Sequence, residues 1–171
     1  MLTIFNNLEP FFQDVYRRIN VREYGRIRGI SAPSASKILK QLEKENLLVH
    51  ETNRNYLFFV ADKESKLLKD LARIYWYSMM KNIGLIEYLE KSFANPTIIL
   101  FGSLSKAENT AQSDVDLCIL TPIKKKLGLK PFEKKLKRTI QILSFPNKKA
   151  IPTKELSVNI MNGYVLAGGF E

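Results

Sequence analysis

The stretch FGSLSKAENTAQSDVDLCIL, residues 101–120, decides how the chain is read. It opens at the end of Thr97–Phe101 (TIILF), an apolar run of the length and composition of a buried strand. Gly102 ends that run and lets a backbone come close to a phosphate, having no Cβ in the way. A helix starting at Ser103 would aim its N–H groups and positive dipole at the same anion, and the Ser103 hydroxyl adds a contact. Asp114 and Asp116 stand two apart at the head of a second apolar run, residues 117–120. On a strand both carboxylates then point to one face, where they bridge divalent cations. An isolated Asp-x-Asp is commonly a strand end in solvent. The glycine–serine step after a buried strand makes this one more specific.

Working outward, residues 115–121 read as a strand, 131–138 as a short basic helix, and 139–145 as a third strand. A last helix is expected over 153–161, and residues 163–169 close the chain as a strand or an extended tail. Asn95-Pro96 marks a break ahead of this half. Strand–helix alternation after that break points to a small mixed sheet spanning 96–171.

The first half reads differently. Phe11, Phe12, Val15, Tyr16 and Ile19 form an apolar stripe that predicts a helix over residues 10–19. A second helix fits 21–28 and stops at Gly29, a residue type that accepts left-handed backbone. Ser31 is placed to cap a third helix with Pro33 in its first turn, burying Ala35, Ile38, Leu39 and Leu42, and Asn46 closes it. Two β-rich runs, 47–52 and 56–60, flank Asn53-Arg54-Asn55 and predict a hairpin with a polar, basic tip. Residues 62–92 read as helix, divisible at Gly84, with Leu67, Leu68, Leu71, Ile74, Tyr75 and Met79 at helical spacing. The fold class is therefore α+β, in three parts: 1–62, a helical linker over 63–95 that offers a homodimer interface, and 96–171.

Two resemblances follow. VREYGRIRGISAPSASKILKQLEKENLLVHETNRNYLFFV resembles the winged helix-turn-helix of prokaryotic transcription regulators, in an archaeal type of chain. That resemblance implies DNA contact by Ser34, Ser36, Lys37 and Lys40 on the third helix and by Arg54 on the wing. Winged helices also serve as protein–protein modules, and residues 1–62 carry nine Lys/Arg against seven Asp/Glu, a weak balance for a DNA binder. The second half resembles the minimal nucleotidyltransferases of the polymerase-beta-like superfamily, through Gly102-Ser103 and Ser113-Asp114-Val115-Asp116. It implies metal ligation and catalysis by Asp114 and Asp116, triphosphate contact by Gly102, Ser103, Lys106 and Ser113, Mg²⁺ or Mn²⁺ as cofactor, and ATP or another triphosphate as substrate or ligand.

The chain departs from that family in its ligand set. Lys106 stands where arginine is usual, which keeps the charge and loses a bidentate phosphate fork. Active members carry a third carboxylate on a later strand, and Gln141 holds the matching place in TIQILSF, residues 139–145. Glutamine is a neutral ligand and a poor proton acceptor. Glu155 is placed on a helix rather than that strand. His50, the single histidine, falls in the wing and reads as a surface residue.

Composition narrows the rest. The net charge is +10, and residues 96–171 supply most of it, with twelve Lys/Arg against six Asp/Glu. Lys124, Lys125, Lys126, Lys130, Lys134, Lys135, Lys137 and Arg138 are opposed locally by Glu133 alone. Such a cluster suits a polyanion, triphosphate or nucleic acid, and equally a solvated face. The single Cys118 rules out an intrachain disulfide framework, and no apolar run approaches the roughly 20 residues of a membrane span. A cytoplasmic protein is expected, with no membrane partner. It is expected to be a DNA-binding protein whose nucleotidyltransferase-like domain binds metal and a nucleoside triphosphate, with transfer of a nucleotidyl group to a nucleic-acid (DNA or RNA) or protein hydroxyl as its reaction. The alternatives are a transcription regulator with a non-catalytic nucleotidyltransferase-like module, and an antitoxin-type protein nucleotidyltransferase.

Overall fold

The computed structural model describes residues 2–54 and 56–169. The chain divides into two compact units, Met1–Ala72 with Ala107–Ala111, and Arg73–Lys106 with Gln112–Glu171.

The first unit has three helices, α1 (Thr3–Gln13), α2 (Val21–Arg28) and α3 (Ala32–Lys44), and a hairpin of β1 (Leu48–Asn53) and β2 (Tyr56–Ala61). Its local chemistry follows the sequence closely from α2 onward. Asn20 caps α2 by accepting the Glu23 N–H, and Gly29 ends it at φ 64°. Ser31 caps α3 by accepting the Ser34 N–H, and Asn46 follows its end at φ 55°. Ala35, Leu39 and Leu42 are the buried face of α3. Of the expected tip, Arg54 is described, in left-handed backbone, and Asn55 lies outside the described residues.

The first helix differs from the expectation. It covers Thr3–Gln13 with Pro10 inside it, rather than residues 10–19. Asp14 ends it: its backbone is extended, and its carboxylate accepts the Tyr16 N–H at 3.0 Å, a local turn that competes with helix. Beyond the turn, Ile19 exchanges both backbone hydrogen bonds with Phe59, at 3.0 and 2.9 Å, a one-residue bridge to the hairpin. Val15 and Ile19 are buried as their apolar character demands, but Val15 from a turn and Ile19 from a bridge to the hairpin rather than from a helix. Tyr16 is exposed, with the Lys63 ammonium 4.6 Å above its ring.

One segment of this unit comes from far along the chain. Asn109, fully buried, donates from its side-chain nitrogen to the carbonyls of Phe12 at 2.8 Å and Gln13 at 3.2 Å. Its own carbonyl accepts the Val15 N–H at 3.0 Å. The last carbonyls of α1, which a helix end leaves without intrahelical donors, are answered in this way.

The unit boundary falls inside α4 (Lys66–Asn82). Leu68 and Tyr75 of its apolar pattern are buried, whereas Leu67 and Ile74 remain exposed. Gly84, at φ 82°, separates α4 from α5 (Leu85–Phe93), the division expected at that glycine. The second unit then contains β3 (Thr97–Phe101), α6 (Gly102–Lys106), β4 (Val115–Leu120), α7 (Lys130–Leu136), β5 (Ile140–Phe145), a 3-10 turn at Lys148–Ala150, α8 (Lys154–Met161) and β6 (Tyr164–Ala167).

Its strands form one mixed sheet in the order β5-β4-β3-β6. β3 runs antiparallel to β4 and β6, and β4 runs parallel to β5. A parallel pair needs a crossover, and residues 121–139 with α7 supply it. The two sheet faces differ. Ile99, Phe101, Cys118, Ile151 and Ile160 form a buried cluster, joined by Leu120, Leu143, Phe145 and Leu156. By strand alternation Asp114, Asp116, Cys118 and Leu120 share that face, and Leu117 and Ile119 point to the other.

Candidate functional site

The end of β3 and the start of β4 bring the motif together. Phe101 pairs with Asp116, so the chain leaves β3 beside that aspartate. Gly102 begins α6 at φ 70°, a backbone that favours glycine. A Cβ placed on Gly102 would overlap the Asp116 carboxylate oxygen Oδ2 and sit 3.1 Å from its Cγ. Glycine is therefore needed twice at this position, for its backbone and for the room it leaves the carboxylate.

α6 is one turn of five residues, tied at its far end. Ser105 is buried; its hydroxyl donates to the Gly102 carbonyl at 2.9 Å, and its own carbonyl accepts the Arg73 Nε–H at 2.8 Å. The helix expected to aim a dipole from Ser103 is thus a single turn. A single turn offers no macrodipole, so what this end of the site presents is the Gly102–Ser103 backbone and side chains. Ser103 and Lys106 are half-buried on this turn.

Asp114 and Asp116 are half-buried. Burial raises the Asp116 carboxyl above the ordinary carboxylate range, and the neighbouring Asp114 charge raises it further. Among the described residues no base is paired with either carboxylate, and two such groups at one spot could hold a cation. Among the described residues no third Asp, Glu, His or Cys joins them.

The third position is taken by Gln141. β5 pairs with β4 in a register that sets Gln141 opposite Asp116, and its side-chain nitrogen donates to Asp114 Oδ2 at 2.5 Å. The alignment read from the sequence therefore holds in space. Glu155 is exposed on α8, and His50 is exposed on β1 in contact with Glu43. Neither is part of the constellation.

Sequence reasoning missed Arg138. Counted with the exposed basic cluster, it is in fact 6 % exposed, lies 5.0 Å from the Trp76 ring, and donates to the Ser113 carbonyl at 2.5 Å. Ser113 immediately precedes Asp114, so a buried guanidinium fixes the backbone from which that carboxylate projects. The only sequence signal was its position: it ends the basic helix pattern directly before an apolar strand. Arg138 also lies beside Thr139, whose carbonyl accepts the Val115 N–H at 2.9 Å.

Residues 83–166 match the family model of the nucleotidyltransferase domain. The matched span runs from the turn before α5 into β6 and contains Gly102, Ser103, Asp114, Asp116 and Gln141. No curated protein and no solved structure matches the chain. The matched span thus includes the whole constellation, and the match suggests nucleotidyl transfer in general. No helix among the described residues is long and apolar enough to cross a membrane.

The donor set of the nucleotidyltransferase domain fits a hard divalent cation such as Mg²⁺ or Mn²⁺: two carboxylates, and an amide that offers oxygen after a half-turn of its terminal group. The net ligand charge is −2 instead of the −3 that a third acid would give.

The residues singled out for DNA contact lie in the first unit. Lys37, Lys40 and Arg54 are exposed, and Ser36 is half-buried. Ser34 is exposed and its hydroxyl is 3.0 Å from that of Ser31, so it is shared with the helix cap. Ser34 and Lys37, and Lys37 and Lys40, are three apart on α3 and so neighbour one another on its surface.

Proposed function

We propose that this chain is a DNA-binding protein whose nucleotidyltransferase domain holds a nucleoside triphosphate with Mg²⁺ or Mn²⁺, and transfers its nucleotidyl group slowly to a nucleic-acid or protein hydroxyl. The observation that carries the proposal is the triangle of Asp114, Asp116 and Gln141 against the bare Gly102 backbone. Asp114 and Asp116 hold the cation, Gly102 and Ser103 the phosphates, and Lys106 and Ser113 assist them. A divalent cation held there supplies activation of the acceptor oxygen and neutralises charge on the departing pyrophosphate. Gln141 is what makes transfer slow, because an amide cannot take the proton that the acceptor hydroxyl must lose.

DNA contact rests on the order helix, helix, helix, hairpin and on the exposed Lys37, Lys40 and Arg54. A second reading has the same glutamine as its support: a regulator in which the domain binds nucleotide without turnover. One experiment separates the two. The protein is incubated with α-labelled ATP, GTP, CTP and UTP, Mg²⁺ or Mn²⁺, and total RNA, DNA and cell protein. Transfer that disappears in Asp114→Ala and Asp116→Ala supports the enzyme. Absence of transfer alongside salt-dependent duplex binding supports the regulator, and absence of both sinks the proposal.

A further inference from the structure

Two lysines of the crossover, Lys124 and Lys125, do not share a face with the aspartates. Lys124 and Lys125 line a cavity of about 500 Å³ together with Phe93, Leu127, Ile142 and Ser144. Ile142 and Ser144 alternate along β5 with Gln141 and Leu143. Gln141 bonds to Asp114, and Leu143 packs on the buried cluster beside Cys118. The cavity is therefore on the opposite side of the sheet from the Asp114–Asp116 pair.

Three further observations describe this surface. Lys124, Lys125, Lys126, Lys130, Lys134, Lys135 and Lys137 are all exposed, and among the described residues none is in an ion pair. Glu133, the one acid among them, is turned inward to accept the Ile140 N–H at 3.0 Å, so it is committed to the α7–β5 junction. The loop is held rather than loose: the Gly128 N–H donates to the Tyr88 hydroxyl at 3.0 Å, and the Tyr88 and Phe132 rings lie 5.1 Å apart.

We infer that this face binds a single strand of nucleic acid, phosphates on the lysines and a base in the cavity. Lys124 and Lys125 stand at the cavity, and five further unopposed ammonium groups within residues 126–137 continue the charge along the chain, which suits an extended polyanion. The cavity lies in the range of about 300–1,000 Å³ common for ligand sites, and its lining is mainly apolar. An unstacked base fills such a space, whereas the bases of a duplex are already stacked inside it. The inference stands independently of metal or nucleotide binding, since it uses the other face of the sheet.

The test is fluorescence anisotropy of the full chain with labelled 15-mer single strands, of RNA and of DNA, and with a 15-bp duplex. EDTA is present and nucleotide is left out, so the aspartate site plays no part. Lys124→Ala/Lys125→Ala/Lys126→Ala should weaken single-strand binding about tenfold or more, and make the slope of log K against log salt shallower by about 2. Ser144→Glu, which puts a negative charge at the cavity, should weaken it as well, and Lys66→Ala/Lys154→Ala, at two exposed lysines outside the cluster, should leave it unchanged. The RNA and DNA arms tell which strand is preferred. Unchanged affinity in the triple-lysine variant overturns the inference, and so does loss of duplex binding alone. Circular dichroism confirms that each variant is folded.

Discussion

Replacing Gly102 by alanine tests the closest approach in the site. Two costs are expected. Left-handed backbone at a residue with a Cβ costs roughly 1–2 kcal/mol. The new methyl also overlaps Asp116 Oδ2, and forcing atoms into a filled space typically costs about 1–3 kcal/mol. Together Gly102→Ala should destabilise the domain by about 2–5 kcal/mol. In an Asp116→Ala background the overlapping oxygen is gone, and the nearest remaining side-chain atom is the Cβ of residue 116, at 3.3 Å. There the substitution should cost only the backbone term, so the two sites should couple by about 1–3 kcal/mol. The assay is urea denaturation followed by tryptophan fluorescence. Trp76 is the single tryptophan, buried in the same unit as both residues, so the signal reports on that unit. Mn²⁺ binding gives a second readout, because a displaced Asp116 carboxylate should bind the ion more weakly. Equal cost of Gly102→Ala in both backgrounds would refute the claim that the glycine makes room for the carboxylate.

Other outcomes follow from the same contacts. The Asp116 carboxyl is raised by burial and by Asp114, so the folded protein keeps a proton there that the unfolded chain has released. Its contribution to metal-free stability is therefore lost as pH rises from the unfolded value of 3.8 through the raised folded value. Asp116→Asn should remove that slope and raise the metal-free melting temperature at neutral pH; a lower temperature would contradict the account. Gln141→Asp should lower metal-free stability by adding a third like charge, recover it with Mg²⁺, and gain label transfer if only that ligand is lacking. A folded variant that binds Mg²⁺–ATP and gains no transfer would count against the role given to Gln141. Asn109→Ala removes both side-chain donors from the end of α1 and should cost about 1–3 kcal/mol, read as faster amide exchange in residues 8–13. Unchanged exchange there would show that Asn109 does not hold the helix end.

Much of this was legible in the residues. Gly29 and Asn46 stop their helices where they do because left-handed backbone selects those side chains, and Ser31 caps because its oxygen meets a free N–H one turn on. These are local effects, complete within a few residues. The first helix was misplaced because its apolar spacing is shared by a helix and by the turn and bridge that actually bury Val15 and Ile19. What chose between them was Asp14 closing a turn and Phe59, forty residues later, accepting a strand partner.

The site divides in the same way. Sequence alone determined that Asp114 and Asp116 share a face, because strand alternation is a property of the backbone, and that a glycine and a serine precede them. It also placed Gln141 by its position in an apolar run. Tertiary structure decided the rest. The parallel register of β4 and β5 set Gln141 on Asp114. Burial turned Arg138 from a member of a charged cluster into the support of Ser113, and the crossover carried Lys124 and Lys125 to the far side of the sheet. Charge and residue type are written in the chain, but which face of a sheet a side chain reaches depends on pairings between segments that no local pattern records.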